Sequence, residues 1–369
     1  MKQVYSFDGL SIPMWAHTLF WLLYMLVFVY AFRKTVFPLL QKKQPSDVPK
    51  LFVLFFALYA VFYCVNPDYF RYRDWVFEFG LYDFAKEKFY PALIVFCLSL
   101  PFDYPFEVFR LVVWGGAVLL AYLTYSRYRK LLLPGLSLLF LFVLYGNTMS
   151  YSRASLGMAV YFFGVALLLR KKRFFARVLG IAVAVSSIFF HREMIIGILV
   201  LPAFVVPFEK KKYLFLTPFL FLAAIFVIRY FNNNLAVFDE MFENDILSSK
   251  IEEFNEAEQG KFRLSTLIKY LNFAYPLYLI TKCFWRKKVH RSVAGMYRIT
   301  YVIILVSVAF MVVFGLRSVF VYRVLYISCI PMSLLISYCY CKGYLKNRQL
   351  LLLLLVGLLV NSTRFINAG

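Results

Sequence analysis

The sequence predicts an all-α fold, a polytopic integral membrane helical bundle of about 12 transmembrane helices. Hydrophobic residues make up 62% of the 369 residues, charged residues make up only 16%, and the mean hydropathy is +0.72. The apolar runs are long and lack the two-residue alternation of barrel strands. Helices are favoured because they satisfy their own backbone hydrogen bonds inside a bilayer.

The distribution of basic residues predicts the orientation of this bundle. The formal net charge is +22, yet 25 of the 41 Lys and Arg lie in six short segments with only two of the 19 acidic residues. Cytoplasmic loops of membrane proteins carry this excess, so we predict that the six segments face the cytoplasm. Because the remainder is nearly neutral, the charge does not indicate a nucleic-acid-binding surface. The segments are 33–50, 126–130, 170–177, 209–212, 282–298 and 342–348.

The apolar runs predict the order of the spans. We expect no cleavable signal peptide, because the first thirteen residues are mostly polar and the first run is too long for one. The apolar segment 89–100 is too short to span, so we predict a re-entrant or interfacial helix there. The predicted spans are 15–32, 51–65, 106–125, 131–148, 154–169, 178–190, 194–208, 213–228, 266–285, 299–316, 319–340 and 350–360.

The predicted domain organisation is simple. We predict one polytopic membrane domain over residues 1–369, with an external loop at 66–105 that contains the interfacial helix. A second external loop at 231–265 is acidic, with eight Asp or Glu between Asp239 and Glu258. The six cysteines lie in or beside apolar runs without a Cys-x-x-Cys pair, so we interpret them as packed thiols.

The runs 154–169 and 178–190 predict a transmembrane hairpin. Arg153 opens the first run, and His191, Arg192 and Glu193 close the second. The four basic residues at 170–173 form the turn between the runs. The hairpin therefore places Arg153 and the His-Arg-Glu triplet together at the external face, where they would hold an anion or move a proton.

Two further groups of charged residues are predicted at this face. The segment NPDYFRYRDW contains Asp68, Arg71, Arg73 and Asp74, and the segment GLRSVFVYRVLY contains Arg317 and Arg323. An arginine inside a span is a functional-site hypothesis, although each of these also fits an interface anchor. The guanidinium fork suits a diphosphate, because it donates two hydrogen bonds and keeps its charge.

Each titratable candidate has two interpretations. His191 is either a general base or a helix cap, and Glu193 is either a base or the ion-pair partner of an arginine. Asp68 and Asp74 fit a base, a substrate hydrogen-bond acceptor or a partner of the nearby arginines. The external aromatic residues would stack on sugar rings, and these are Tyr69, Tyr72 and Trp75.

Several reaction types lack their motifs in this sequence. There is no Walker loop, dinucleotide fingerprint, HExxH or Gly-Ser nucleophile elbow. The predicted cytoplasmic loops are also too short for a nucleotide-binding domain. Any enzyme built on this chain is therefore expected to use a substrate that is already activated, and to act at the outer face.

Three stretches resemble one known family. They are VNPDYFRYRDWVFE, SYSRASLGMAVYFF…RKKRFF…SSIFFH and FVYRVLYISCIP. Together they resemble the EpsG family of bacterial polysaccharide biosynthesis proteins, which is similar to Wzy-type O-antigen and capsule polymerases. The resemblance covers about residues 65–331. The family usually has small residues after the histidine, where this chain has Arg192 and Glu193.

The resemblance implies a function. It implies a multi-pass protein of the bacterial inner (cytoplasmic) membrane with a periplasmic or external active face. The glycan of one undecaprenyl-diphosphate-linked repeat unit would be transferred onto the terminal sugar of another, with inversion and without a cofactor or metal. Expected partners are this lipid-linked oligosaccharide, membrane lipid and a chain-length regulator protein, and no nucleic acid.

The resemblance also implies residue roles. Arg153 and Arg323 would bind the diphosphate, with Arg71, Arg73, Arg192 and Arg317 as secondary candidates. His191 or Glu193 would be the base, with Asp74 as a third candidate. Two alternatives stay open, a lipid-linked oligosaccharide flippase or transporter and an O-antigen ligase. A membrane O-acyltransferase is disfavoured, because its acyl donor would be cytoplasmic whereas His191 is predicted to face outward.

Overall fold

The computed structural model describes most of the chain. The described residues are 3–7, 10–51, 53–54, 89–101, 105–139, 152–169, 174–191, 194–213, 215–233, 264–314, 324–325 and 327–367. Contacts within the chain form two compact units, Met1–Ile195 with Cys329–Gly369, and Ile196–Ser328. One membrane domain can contain two such units, so the single domain over 1–369 stays a prediction, as do the external loops at 66–105 and 231–265.

In the first unit the described elements are helices apart from one short hairpin at its start. Strands β1 and β2 pair antiparallel, with Phe7 opposite Leu10. Its elements are β1 (Gln3–Phe7), β2 (Leu10–Pro13), α1 (Met14–Ala31), α2 (Phe37–Leu40), α3 (Phe89–Ser99), α4 (Pro105–Ser126), α5 (Leu132–Leu139), α6 (Ser152–Leu168), α7 (Phe174–Ser186), α12 (Cys329–Cys341) and α13 (Asn347–Asn367).

The hairpin β1–β2 is a departure from the all-α prediction. Asp8 and Gly9 separate the strands in the sequence, and an Asp-Gly pair between strands is typical of a tight two-residue turn. Such a pair is a signal for a hairpin, although no strand was predicted from the sequence for the first thirteen residues. The other elements that the structure describes in this unit are helices, as predicted.

Helices α6 and α12 form the core of the first unit. Both are apolar and buried around most of their circumference, which is expected of a helix surrounded by other helices. Hydrogen bonds connect further helices to α12. The Tyr125 hydroxyl at the end of α4 donates to the Ile330 carbonyl oxygen at 2.7 Å, and the Tyr340 hydroxyl donates to the Leu39 carbonyl oxygen at 3.1 Å.

The second unit contains most of α8 and three longer helices. These elements are α8 (Met194–Val200), α9 (Leu216–Asn233), α10 (Leu264–Arg286) and α11 (Arg291–Phe314). The predicted span 194–208 is not one regular helix, because α8 gives way to a 3-10 turn at Leu201–Val205. Pro202 in this turn has no N–H to continue the helical hydrogen bonds.

A mostly buried ion pair fixes the start of α11. The Arg298 guanidinium donates to both carboxylate oxygens of Glu209, at 2.9 and 2.5 Å, and to the Phe204 carbonyl oxygen at 2.7 Å. The sequence prediction began this helix at residue 299, whereas α11 begins at Arg291. The basic residues before 299 suggested a loop, but Arg298 is accommodated in the helix by the carboxylate of Glu209.

Many large apolar side chains on the helices are exposed. On α1, Leu22, Leu26 and Val29 are exposed and share one face. Among the described residues, three helices are long and apolar enough to cross a membrane, Pro105–Ser126, Lys211–Tyr230 and Arg291–Val313. Six shorter apolar helices accompany them. A membrane helical bundle is therefore supported, whereas the count of about 12 spans stays a prediction.

Candidate functional site

The helices α6 and α7 form the predicted hairpin, and small residues bring their backbones into contact. A Cβ atom added at Gly164 would lie 2.7 Å from the Gly180 carbonyl oxygen, and it would also collide with the Ala184 amide nitrogen. A Cβ atom added at Gly180 would collide with the Leu168 amide nitrogen. Close approach through small residues is typical of helices that pack in a bilayer, where van der Waals contact drives association.

The stripe of small residues on α7 leads to His191. Ala176, Gly180 and Ala184 are buried and recur every four residues, which places them on one face of the helix. Ser187 continues this face and is fully buried, and His191 follows one turn later with 9% of its surface exposed. The predicted histidine therefore lies at the end of the packed face of the hairpin, and away from the basic turn.

The backbone around His191 is held by local hydrogen bonds and by Gly157. The His191 amide donates to the Ser187 carbonyl oxygen at 3.1 Å, and the Met194 amide donates to the His191 carbonyl oxygen at 3.0 Å. A Cβ atom added at Gly157 on α6 would lie only 2.9 Å from His191 Cβ. The absence of a side chain at Gly157 thus allows His191 to pack directly against the α6 backbone.

Helix α4 runs parallel to α6, so both begin at the same end. A Cβ atom added at Gly116 would lie 3.2 Å from Leu156 Cδ1, and Arg127 lies over the Phe163 ring at 5.5 Å. Because both contacts advance along the two sequences in the same direction, the start of α4 lies beside the start of α6. Arg153 is in the first turn of α6, at the His191 end of the hairpin.

Aromatic rings connect this end of α7 to the start of α4 through α3. The Phe190 ring lies 4.2 Å from the Phe89 ring, centroid to centroid. Phe89 contacts Tyr90 at 5.5 Å, and Tyr90 contacts Phe109 at 6.1 Å. The starts of α3 and α4 and the end of α7 therefore pack together. Helix α3 has 11 residues, roughly 16 Å, which is shorter than a bilayer core.

The sequence prediction missed an ion pair at this end. Arg110 Nη1 donates to Glu107 Oε2 at 2.6 Å, and the Arg110 guanidinium lies 5.9 Å from the centre of the Phe106 ring. The Arg110 side chain is only 11% exposed, whereas the Glu107 side chain is 46% exposed. The spacing Glu-x-x-Arg at the start of an apolar run could have predicted this ion pair, because a carboxylate and a guanidinium three residues apart lie on one helix face.

The structure describes two of the predicted site residues, and it brings the backbones of their helices together. His191 and Arg153 lie at the same end of the hairpin, as predicted, and for Arg153 the description is limited to its backbone in α6. The convergence of the other candidates stays a prediction, because they lie outside the described residues. These are Asp68, Tyr69, Arg71, Tyr72, Arg73, Asp74, Trp75, Arg192, Glu193, Arg317 and Arg323.

Within the described ranges, no group of three His, Cys, Asp or Glu side chains is placed to hold a metal ion. Asp68, Asp74 and Glu193 are outside those ranges, so the expected metal independence stays a prediction.

Comparison with known proteins identifies the family. The family model described as the EpsG family matches residues 48–365, which is most of the chain. The chain belongs to the EpsG family. This family is associated with polysaccharide polymerase-like proteins. No curated protein and no solved structure matches the chain.

Membership of the EpsG family confirms the resemblance predicted from the three sequence stretches. The match extends beyond the predicted range of 65–331 on both sides and includes α3 to α13 up to residue 365. Together with the apolar helices, it supports a polysaccharide polymerase-like membrane protein. It assigns no role to an individual side chain.

Proposed function

We propose that this chain is a polysaccharide polymerase that acts on undecaprenyl-diphosphate-linked repeat units at the outer face of the bacterial inner membrane. The reaction transfers the glycan from one lipid carrier to the terminal sugar hydroxyl of a second lipid-linked repeat unit. The bond between the anomeric carbon and the diphosphate oxygen breaks, and a bond to the acceptor oxygen forms. The acceptor proton passes to a base, and undecaprenyl diphosphate leaves.

The proposal assigns the diphosphate to arginines. Arg153 and Arg323 neutralise the charge that develops on the leaving group, with Arg71, Arg73, Arg192 and Arg317 as secondary ligands. A guanidinium group donates paired hydrogen bonds to phosphate oxygens and keeps its charge at all relevant pH values. These properties allow departure of a diphosphate without a metal ion.

His191 is proposed as the base that accepts the proton of the acceptor hydroxyl. Glu193 and Asp74 are the competing candidates for this role. The donor site then needs a sugar-binding surface, for which Asp68, Tyr69, Tyr72 and Trp75 are the candidates. A single displacement by the acceptor oxygen inverts the anomeric carbon. A neutral imidazole near the acceptor accepts the proton as the new bond forms.

One observation carries this proposal further than the family alone. His191 is buried against Gly157 at the same end of the α6–α7 hairpin at which Arg153 begins α6. A base and an anion-binding residue at one end of a rigid, glycine-packed hairpin suit a reaction that removes a proton and releases a diphosphate together. Rigid support of this kind keeps reacting groups in productive geometry.

The glycans of a strain that lacks this chain test the proposed function. We expect long polymer to disappear and single repeat units, transferred to their final acceptor, to remain. Lipid-linked units that accumulate on the inner leaflet would instead indicate a flippase. Full-length polymer that stays on its lipid carrier would indicate the ligase. Either of these last two results contradicts the polymerase.

A further inference from the structure

The two members of the Glu107–Arg110 pair differ sharply in exposure. Arg110 is 11% exposed, its Nε atom is fully buried, and its guanidinium lies over the Phe106 ring. Glu107 is 46% exposed and stays within hydrogen-bond distance of Arg110 Nη1. A ligand can therefore reach the carboxylate of Glu107, whereas the buried guanidinium of Arg110 holds that carboxylate in place through a hydrogen bond.

Packing alone does not explain this arrangement. A Glu–Arg pair three residues apart on a helix stabilises that helix only weakly. A buried guanidinium in an apolar helix is strongly destabilising unless a carboxylate or water compensates it. A hydrophobic residue at position 110 would avoid that cost and still continue the buried face of α4 formed by Phe106, Phe109 and Val113. The pair instead fixes an ionised carboxylate in one orientation.

The pair lies at the same end of the first unit as the proposed site. At a helical rise of about 1.5 Å per residue, Arg110 lies roughly 9 Å from Gly116 toward the start of α4. Arg153 lies roughly 4.5 Å from Leu156 toward the start of α6. Gly116 and Leu156 contact each other across the parallel helices α4 and α6. The ring contacts from Phe190 through α3 to Phe109 join the same end of α7 to the first two turns of α4, where Glu107 also lies.

We propose that Glu107 binds the sugar portion of the lipid-linked substrate and that Arg110 is its positioning residue. Sugar hydroxyl groups donate hydrogen bonds, and an ionised carboxylate is a strong acceptor for them. A diphosphate is excluded as the ligand of Glu107, because two anions repel each other at contact distance. This inference rests on the proposed function, since it divides that substrate into a diphosphate bound by arginines and a glycan bound by Glu107.

Two lipid probes separate these parts of the substrate. The first is undecaprenyl diphosphate, and the second is the lipid-linked repeat unit extracted from the strain that lacks this chain. Binding of both to the purified full-length protein is measured in detergent. For Glu107→Gln we expect the affinity for the repeat-unit lipid to fall about tenfold or more, because a charged hydrogen bond to the sugar is lost. The affinity for undecaprenyl diphosphate should stay unchanged.

A double variant controls for misfolding of the single variant. Glu107→Gln alone removes the carboxylate that faces the buried Arg110, so its unfolding temperature is measured in parallel. Glu107→Gln with Arg110→Gln removes both charges, and we expect the same selective loss in binding of the repeat-unit lipid. Arg110→Lys keeps the charge but loses the planar fork over Phe106, so we expect an intermediate loss.

The Glu209–Arg298 pair, which is also described, provides a matched control. Glu209→Gln also removes a carboxylate from an arginine, at a pair in the second unit where Glu209 is only 12% exposed. We expect a lower unfolding temperature and unchanged affinity for both lipids. Equal weakening of both probes by Glu107→Gln, or no weakening by the folded double variant, would overturn the inference.

Failure of the proposed function gives a different result. If wild-type protein binds neither lipid, the proposed function fails and this inference fails with it. If Arg153→Ala weakens both lipids while Glu107→Gln and the double variant weaken neither, the polymerase proposal survives. In that case the assignment of Glu107 to the glycan is wrong.

Discussion

Arg153→Ala and Arg323→Ala are each expected to abolish polymer formation while the amount of folded protein stays nearly normal. Both arginines are proposed to neutralise the departing diphosphate, whose charge develops in the transition state. Removal of one such preorganised donor typically lowers turnover by about a hundred- to a thousandfold. Polymer length in cells and turnover by purified protein measure the effect.

Arginine-to-lysine variants test whether geometry matters as well as charge. We expect Arg153→Lys and Arg323→Lys to restore little activity, because an ammonium group cannot donate the paired hydrogen bonds of a guanidinium. Arg127→Lys is a suitable control, because Arg127 lies over the Phe163 ring at the opposite end of α4. Full activity of either alanine variant would remove that arginine from the proposed site.

His191→Ala is expected to remove most of the turnover while substrate binding changes little. General-base catalysis typically contributes about a hundred- to ten-thousandfold in rate. Wild-type turnover should also fall as the pH is lowered and the imidazole becomes protonated, since only the neutral ring accepts a proton. Turnover and substrate affinity are measured separately to distinguish loss of a base from loss of binding.

Glu193→Gln distinguishes the competing base, because it removes the charge and keeps the shape. We expect a mild effect if His191 is the base, whereas an inactive Glu193→Gln together with an active His191→Ala would move the role to Glu193. If both variants stay active, Asp74 becomes the leading candidate, and His191 and Glu193 are interpreted as a helix cap and an ion-pair partner.

Two glycine variants test the position of the histidine. Gly157→Ala adds a Cβ atom only 2.9 Å from His191 Cβ, which is too close for two carbon atoms, so we expect reduced turnover from a displaced imidazole. Gly115→Ala is the matched control on α4, because a Cβ atom there meets nothing within 4 Å. Equal activity of the two variants would contradict the need for close packing at Gly157.

The apolar runs allowed much of the helical structure to be predicted from the sequence. The predicted segments 89–100 and 106–125 agree with α3 and α4 to within one residue at each end. The segment 15–32 agrees with the start of α1, but the helical chain continues past it through a π-helical turn at Phe32–Val36 into α2. This agreement has a physical reason, because the run must be long and apolar wherever a helix contacts lipid. The hairpin of α6 and α7 was also predicted from two runs separated by a basic turn, although α7 begins at Phe174, four residues before the predicted start of its run at 178.

Features that depend on a distant partner were not predictable in this way. Arg298 resembled a loop residue because its partner, Glu209, lies 89 positions away in the sequence. Arg110 was predicted only as part of the apolar span 106–125, and its ion pair with Glu107, three residues earlier, was missed. The Asp8-Gly9 pair, which marks the β hairpin, is a local signal that the dominance of apolar runs obscured. Sequence patterns identify exposed and apolar faces well, but they do not show which buried charge meets which carboxylate.

The most direct test of the polymerase is the reaction itself. Purified protein in lipid vesicles is mixed with the lipid-linked repeat unit in the presence of a chelator, and both products are measured. We predict glycans of increasing length, with one undecaprenyl diphosphate released for each new glycosidic bond. Folded protein that binds the lipid but lengthens no glycan would contradict polymerisation. Growth that requires added magnesium would contradict the metal-independent role of the arginines.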